Sequence, residues 1–216
     1  MNLKKYEIIK EIQETGLVAV IRAESAEQAA KSADAIVQGG IRILELTLTV
    51  PGAIDVISSL KQRYKGKNVT IGAGTVLDPE TARLCILTGA EFIVAPSLNV
   101  DTIRLCNRYG VPIVPGGTTI TEVVTALEYG ADIVKLTPAS AFEPSVIPAI
   151  RGPVPQAQFM VTGGISPENA GDWIRAGAVA VGAGGELTRG AKKGDYTLVT
   201  QTAEAYVREI QKARGK

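Results

Sequence analysis

Short apolar segments recur along the chain, and longer amphipathic segments separate them. Five share one layout, in which a glycine and a short spacer precede an apolar strand that ends at Pro, Gly, Thr or Ser: "GIRILELTL" from Gly40, "GAEFIVAPS" from Gly89, "GVPIVPGGT" from Gly110, "GADIVKLTP" from Gly130 and "GAVAVGAGG" from Gly177. Three further runs, "LVAVI", "VTIGAG" and "AQFMVTGG", fill the gaps. The pattern predicts eight strands, recurring about every 20–27 residues, close to one minimal βα unit.

Signals for helix termini lie between these strands. The repeat glycines suit the position just after a helix, where a positive φ is required. Residues suited to begin a helix, as capping boxes or as a cap before proline, are Ser25 with Gln28, Thr119 with Glu122, Asp78-Pro79 and Ser166-Pro167. The first segment, "MNLKKYEIIKEIQETG", predicts an additional amphipathic helix.

Eight strand–helix units predict an α/β fold, the (β/α)8 TIM barrel, with an extra N-terminal helix. No Pro/Ser-rich linker or charge block divides the chain, so one domain over residues 1–216 is expected. An open doubly wound sheet is the alternative, but it ordinarily uses fewer parallel strands. In a barrel, active sites occupy the C-terminal ends of the strands.

The composition of the chain limits the classes of partner that it is expected to bind. The 216 residues are 45% hydrophobic with a net charge of +1, and no basic run contains interleaved aromatics, which argues against nucleic acid. No apolar stretch approaches the roughly 18–20 residues that span a bilayer, so no membrane partner is expected. The N-terminal helix lacks the apolar core of a signal peptide, and we expect a cytoplasmic location. Cys85 and Cys106 lack metal-site spacing and are predicted to be buried helical thiols.

The chain contains no histidine, which restricts its chemistry more than any other feature of the composition. Histidine-ligated zinc, Ser–His and Cys–His machinery are excluded. Acid–base chemistry near neutral pH must therefore use Lys, Glu, Asp, Tyr, Cys or water. We expect neither a metal site nor a cofactor.

Two charged residues interrupt otherwise apolar strands at equivalent positions. Counting five residues from the repeat glycine gives Glu45 on the second strand, Val94 on the fourth, Lys135 on the sixth and Gly182 on the eighth. Alternate strands of a barrel contribute to the same interior layer. One layer is therefore predicted to hold a carboxylate, an amine, a valine and a glycine that leaves space between them.

A buried lysine beside a carboxylate has a chemical use. Removal from water disfavours the ammonium form of a lysine, and the neutral amine attacks carbonyl carbons to form Schiff bases. A nearby carboxylate can then carry protons. The alternative is a structural ion pair, but such pairs contribute little to stability after desolvation. Near the C-terminal ends of apolar strands, Lys135 and Glu45 are better interpreted as an active site.

Three loops offer groups for binding an anion. The segments "VTGGISPEN" and "VGAGGEL" follow the seventh and eighth strands, the usual phosphate site of a barrel, where backbone amides and a helix N-terminus approach the anion. In "GAGTVLDPE" after the third strand, Thr75 is predicted to donate to a substrate carboxylate. Each of these segments, taken alone, is also compatible with an ordinary turn.

Five motifs, "ILELTLTVP", "IGAGTVLDPE", "VKLTPA", "TGGISPEN" and "VGAGGEL", resemble in this order the 2-keto-3-deoxy-6-phosphogluconate (KDPG) aldolase family. Its members are also described as 4-hydroxy-2-oxoglutarate aldolases, and a similar branch acts on the galactonate epimer. The likeness runs from about Val18 to Leu187. It implies a class I aldolase, metal-free and usually trimeric, that cleaves a keto-acid substrate in Entner–Doudoroff or hexuronate breakdown. The implied products are pyruvate and glyceraldehyde 3-phosphate.

The resemblance also implies a role for each matching residue. Lys135 would form the Schiff base, Glu45 would be the acid–base carboxylate, and Thr75 would contact the pyruvate carboxylate. The other implied substrate-binding residues shape the pocket or hold the distal phosphate, and they are Pro96, Pro115, Thr162, Gly163, Gly164, Gly184 and Gly185.

Three positions depart from the family pattern. Thr49 stands where many members carry an arginine that grips the carboxylate, and Thr137 stands where phenylalanine is common. The eighth loop of members usually reads Gly-x-Gly-Ser or Gly-Gly-Ser, whereas here Gly184 is followed by Gly185 and then Glu186, so that a hydroxyl is lost and a carboxylate lies nearby. These departures leave open the 6-phosphogalactonate epimer, 4-hydroxy-2-oxoglutarate or an unphosphorylated sugar acid as substrate.

Two other functions are compatible with the sequence. A phosphate-binding barrel isomerase or synthase would use Lys135 as an electrostatic anchor without covalent chemistry. A non-catalytic trimeric barrel could instead serve as the building block of a larger assembly.

Overall fold

The computed structural model describes residues 3–215, which form the predicted (β/α)8 barrel with an extra N-terminal helix. The strands are β1 Leu17–Ile21, β2 Ile43–Thr47, β3 Thr70–Gly74, β4 Ile93–Val94, β5 Ile113–Val114, β6 Val134–Leu136, β7 Phe159–Thr162 and β8 Ala180–Ala183. The helices are α1 Leu3–Thr15, α2 Ala26–Gln38, α3 Ala53–Arg63, α4 Pro79–Thr88, α5 Val100–Tyr109, α6 Ile120–Glu128, α7 Val146–Arg151, α8 Pro167–Arg175 and α9 Tyr196–Ala213. Met1, Asn2 and Lys216, which the sequence predictions included, lie outside the described residues.

The eight strands are parallel and follow the order β5-β4-β3-β2-β1-β8-β7-β6. The remaining seam, between β6 and the end of β5, is joined by the main chain of Lys135. Its N–H donates to the Pro115 carbonyl at 2.7 Å, and its carbonyl accepts from the Gly117 N–H at 3.0 Å. The residue predicted to be reactive therefore also ties the barrel together through its backbone.

The local signals for helix termini are confirmed. The side chains of Ser25, Asp78 and Thr119 accept hydrogen bonds from the first turns of α2, α4 and α6. All five repeat glycines have positive φ values, which a residue with a Cβ rarely adopts. In these five units, the turn between the helix and the next strand thus contains a glycine with positive φ.

Two apolar clusters fill the barrel. The larger one lies between the strands and the surrounding helices, and it includes both cysteines as buried free thiols, as predicted. The smaller one occupies the interior, where Ile8, Ile9 and Ile12 of α1 pack with residues such as Phe92, just before β4, and Met160 of β7. Helix α1 therefore seals one end of the barrel, and the functional site lies toward the opposite end.

Candidate active site

Lys135 and Glu45 face each other inside the barrel. Each occupies the middle of its strand, and both neighbours of each residue are buried. The Lys135 Nζ lies 3.9 Å from the Glu45 Oε1, with side-chain exposures of 8% and 0%. The distance exceeds that of a hydrogen bond, so the pair is close without being directly bonded. Two long side chains that meet without bonding suit a reactive pair better than a structural ion pair.

The carboxylate of Glu45 is unusually free of protein partners. Among the described residues, neither of its oxygens has a hydrogen-bond partner. Burial raises the pKa of this carboxyl group above its ordinary value, while the positive charges of Lys135 and Arg22 act in the opposite direction. A carboxyl group with a raised pKa and unoccupied oxygens is suited to accept and return a proton.

A cavity of about 480 Å³ opens beside Lys135. It contains most of the residues that the sequence analysis predicted to bind substrate, and these are Thr75, Pro96, Thr137, Thr162, Gly163, Gly164, Gly184 and Gly185. The Thr162 hydroxyl donates to the Thr137 hydroxyl at 3.0 Å, which makes one wall of the cavity polar. Gly182 also lines the cavity, as expected for the small residue in the layer of the two charges.

Thr49 and Pro115 lie outside this lining. Pro115 contacts the site through its carbonyl, which accepts the N–H of Lys135. Thr49 bonds with Thr47 at 2.9 Å and accepts from the Arg22 guanidinium at 3.4 Å. The two predicted residues therefore support residues of the site from outside the cavity.

Arg22 is a candidate functional residue that the sequence analysis did not identify. It follows directly after β1, lines the cavity, and brings a guanidinium to the mouth that holds Lys135. Its guanidinium has the fixed geometry that recognises carboxylates. A charged residue immediately after the apolar run "LVAVI" was the signal that could have identified it.

One wall of the cavity is formed by the loops after β7 and β8. Gly163 and Gly164 have φ values of 87° and 86°, which allow the first loop to turn sharply before α8. The Ser166 N–H donates to the Asn169 side chain at 2.9 Å, which caps this helix. Glu186 of the second loop also lines the cavity and places a carboxylate on this wall.

Two features are absent from the described residues. No cluster of three or more His, Cys, Asp or Glu side chains among them could hold a metal ion. Within the same part of the chain, no helix combines the length and apolar character needed to cross a membrane.

Comparisons with known proteins show the family of this chain. A family model described as KDPG and KHG aldolase matches residues 8–202. The 2-dehydro-3-deoxy-6-phosphogalactonate aldolase of Escherichia coli is 36% identical over 199 residues, which cover 91% of this chain and 95% of the relative.

Two solved structures are also similar. An aldolase from Legionella pneumophila, described as a KDPG aldolase with pyruvate captured as a covalent carbinolamine intermediate, superposes with a TM-score of 0.80 at 28% identity, covering 89% of this chain and 94% of that one. A cube-shaped cage designed by fusing symmetric oligomeric domains gives a TM-score of 0.86 at 32% identity, covering 94% and 74% of the two chains.

Proposed function

Because this chain belongs to the KDPG and KHG aldolase family, we propose that it is a class I aldolase that cleaves a 2-keto-3-deoxy sugar acid through a Schiff base on Lys135. The observation that carries the proposal is the position of the Lys135 amine, buried at the cavity and 3.9 Å from the Glu45 carboxylate. The carbinolamine described for the Legionella pneumophila relative supports covalent chemistry of the same kind.

Lys135 begins the reaction by adding to the C2 ketone of the substrate. The resulting carbinolamine loses water and becomes a protonated imine, which withdraws electrons from the adjacent carbons. Glu45 then removes the proton of the C4 hydroxyl, and the C3–C4 bond breaks. Its electron pair moves into the imine to give an enamine, and the C4 fragment leaves as an aldehyde.

Glu45 also completes the cycle. The proton that it accepted returns to C3 of the enamine, which regenerates the imine, and water hydrolyses the imine to release pyruvate and free Lys135. One carboxylate acts first as base and then as acid, a role that its raised pKa suits.

The substrate carboxylate is assigned to the mouth of the cavity near β1 and β3. Arg22 supplies the positive charge and Thr75 a hydroxyl donor, and both line the cavity with Lys135. Arg22 thus takes the place of the arginine that is missing at Thr49, which contacts the Arg22 guanidinium. Pro96, Thr137 and the remaining lining residues would enclose the sugar chain.

Four substrates are compatible with this mechanism, because all contain a 2-keto group and a C4 hydroxyl. KDPG, which yields pyruvate and glyceraldehyde 3-phosphate, is the substrate that the resemblance predicts. The 6-phosphogalactonate epimer, 4-hydroxy-2-oxoglutarate and an unphosphorylated sugar acid are the alternatives.

We also propose that the protein is a homotrimer. Several large apolar side chains are exposed on the barrel, including Leu84 at 50% and Leu87 at 65% on one face of α4. Two large apolar side chains exposed on one helix face favour an interface. The similar designed cage is described as a fusion of symmetric oligomeric domains.

Trapping of the imine tests the catalytic proposal. The protein is incubated with pyruvate, reduced with borohydride, digested, and analysed by peptide mass spectrometry. We expect one reduced pyruvate adduct, on Lys135. Labelling of a different lysine would reject the assignment, and substrate turnover without any adduct would favour the non-covalent isomerase or synthase.

A further inference from the structure

Glu186 places a negative charge on the wall of the cavity that the loop after β8 forms. It follows β8 and lines the cavity, and its side chain is 36% exposed. Among the described residues that line the cavity, only Arg22, Lys135 and Glu186 are charged. Both cations have other partners, because Arg22 contacts Thr49 and Lys135 faces Glu45. The loop after β8 therefore presents a carboxylate to the cavity.

Arg189 only partly balances the carboxylates near the loop after β8. It forms an ion pair with Glu186 at 3.2 Å, but its charge also acts on Glu168, whose pKa is lowered mainly by a hydrogen bond from the Ser166 side chain. Burial, followed by the charges of Glu186 and Glu168, raises the pKa of Tyr206. Glu186, Glu168 and Arg189 therefore lie near one another, and these three groups together carry one net negative charge.

The backbone donors of the neighbouring helix are also partly used. The N–H of Ser166, at the start of α8, donates to Asn169. The Asn169 amide in turn donates to the Gly164 carbonyl at 2.9 Å. One backbone donor at the start of α8 thus already bonds to an acceptor of its own chain and is not free to bind an anion.

We propose that Glu186 is a specificity-determining residue that selects a substrate with an uncharged, hydroxylated terminus over one with a terminal phosphate. A hydroxyl group can donate a charge-assisted hydrogen bond to the Glu186 carboxylate. A phosphate has only acceptors to offer there and is repelled by the negative charge. Resting on the proposed aldolase function, this inference assigns an unphosphorylated 2-keto-3-deoxy sugar acid as the preferred substrate.

The test compares 2-keto-3-deoxygluconate with its 6-phosphate on the full chain. For the unchanged protein we expect kcat/KM to favour the unphosphorylated acid by about tenfold or more. Glu186→Gln keeps the size of the side chain and removes its charge, and Glu186→Ser provides a hydroxyl donor. Both substitutions should shift the ratio of kcat/KM values toward the phosphorylated substrate. Added salt should narrow the preference of the unchanged protein, because screening weakens the repulsion.

Glu27→Gln is the matched control, since Glu27 lies on α2 at the surface in an ion pair with Lys31 and should leave the ratio unchanged. Pyruvate trapping on Lys135 separates the two proposals, because pyruvate lacks the distal part of the substrate. Trapping with a ratio that favours phosphate, or that Glu186→Gln leaves unchanged, overturns the role of Glu186 alone. Absence of both trapping and turnover overturns the aldolase function and this inference with it.

Discussion

The carboxylate of Glu45 occupies the space beside Gly74 on the neighbouring strand. A Cβ at Gly74 would overlap the Glu45 Oε1 and would lie 2.7 Å from its carboxyl carbon. Gly74 pairs with Thr47 in the register of β2 and β3, two residues along the strand from Glu45. Because Gly74 has no side chain, the Glu45 carboxylate can pack against β3 and remain close to Lys135.

Gly74→Ala should impair catalysis by displacing this carboxylate. General acid–base catalysis contributes about 10²–10⁴-fold, so we expect kcat to fall by roughly 10²-fold or more. Steady-state kinetics with a keto-acid substrate would measure the loss. Pyruvate trapping on Lys135 should be retained, since the amine itself is unchanged.

Gly72→Ala provides the control on the same strand. A Cβ at Gly72 would overlap the ring of Phe92 in the barrel interior rather than a catalytic group. We expect Gly72→Ala to lower the melting temperature while the folded protein keeps its kcat within a few-fold. A Gly74→Ala protein that retains full kcat would contradict the positioning role of Gly74.

Lys135→Met should abolish retro-aldol turnover and leave the fold intact. Methionine retains most of the length of the buried side chain but has no amine, while the backbone hydrogen bonds that join β5 and β6 do not depend on the side chain. The measurements are turnover, borohydride trapping and circular dichroism. Lys31→Met, at an exposed position on α2, should behave as the unchanged protein. Residual turnover above the solution rate would show that Lys135 is dispensable.

The approach of Glu45 to Lys135 could be predicted because the five repeat glycines give a common reference point. From it, the positions of the strands that follow them can be counted. All five glycines have positive φ, so each marks the same point of its unit. From that reference point, counting determines which side chains point inward, since side chains alternate along a strand. Val94 indeed belongs to the interior cluster, and Gly182 lines the cavity with Lys135.

The remaining details depend on contacts between distant segments. β4 and β5 contain only two residues each, although longer apolar runs surround them. Pro96, Pro112 and Pro115 lie beside these strands and lack the N–H that would extend the ladder. Closure of the barrel creates the seam through Lys135 and places Arg22 beside Thr49. The periodicity of a single chain segment does not predict either feature.

Arg22→Gln should weaken binding of the substrate carboxylate. Hydrogen bonds to charged groups contribute about 1.5–3 kcal/mol, so KM should rise by roughly tenfold to a hundredfold while kcat changes less. Steady-state kinetics with pyruvate as a competitive inhibitor would report the same loss in Ki. Thr49→Val removes only the hydroxyl that accepts from Arg22 and should have a smaller effect. Equal KM values for Arg22→Gln and the unchanged protein would exclude Arg22 as the carboxylate partner.

Replacement of both exposed leucines of α4 by glutamate should dissociate the proposed trimer. Leu84 and Leu87 lie three residues apart on one helix face, and burying them in an interface would be incompatible with two added charges. Light scattering coupled to size-exclusion chromatography should give a trimer for the unchanged protein and a smaller species for the double variant. Gln201→Glu on α9 adds charge at an exposed site elsewhere and should remain trimeric. A monomeric unchanged protein would refute the proposal.

The raised pKa of Glu45 predicts the acidic limb of the pH–activity profile. Below that pKa the carboxyl group is protonated and cannot accept the proton of the C4 hydroxyl, so kcat/KM should rise with pH as Glu45 ionises. Because burial raises the pKa of Glu45, the acidic limb should lie above pH 4.5, the ordinary pKa of glutamate.

Glu45→Gln should remove the acidic limb and lower kcat/KM by about 10²–10⁴-fold. The positive charge of Arg22 lowers the pKa of Glu45, so Arg22→Gln should move the limb to still higher pH. A limb at or below 4.5, or one that persists in Glu45→Gln, would assign proton transfer to a different group.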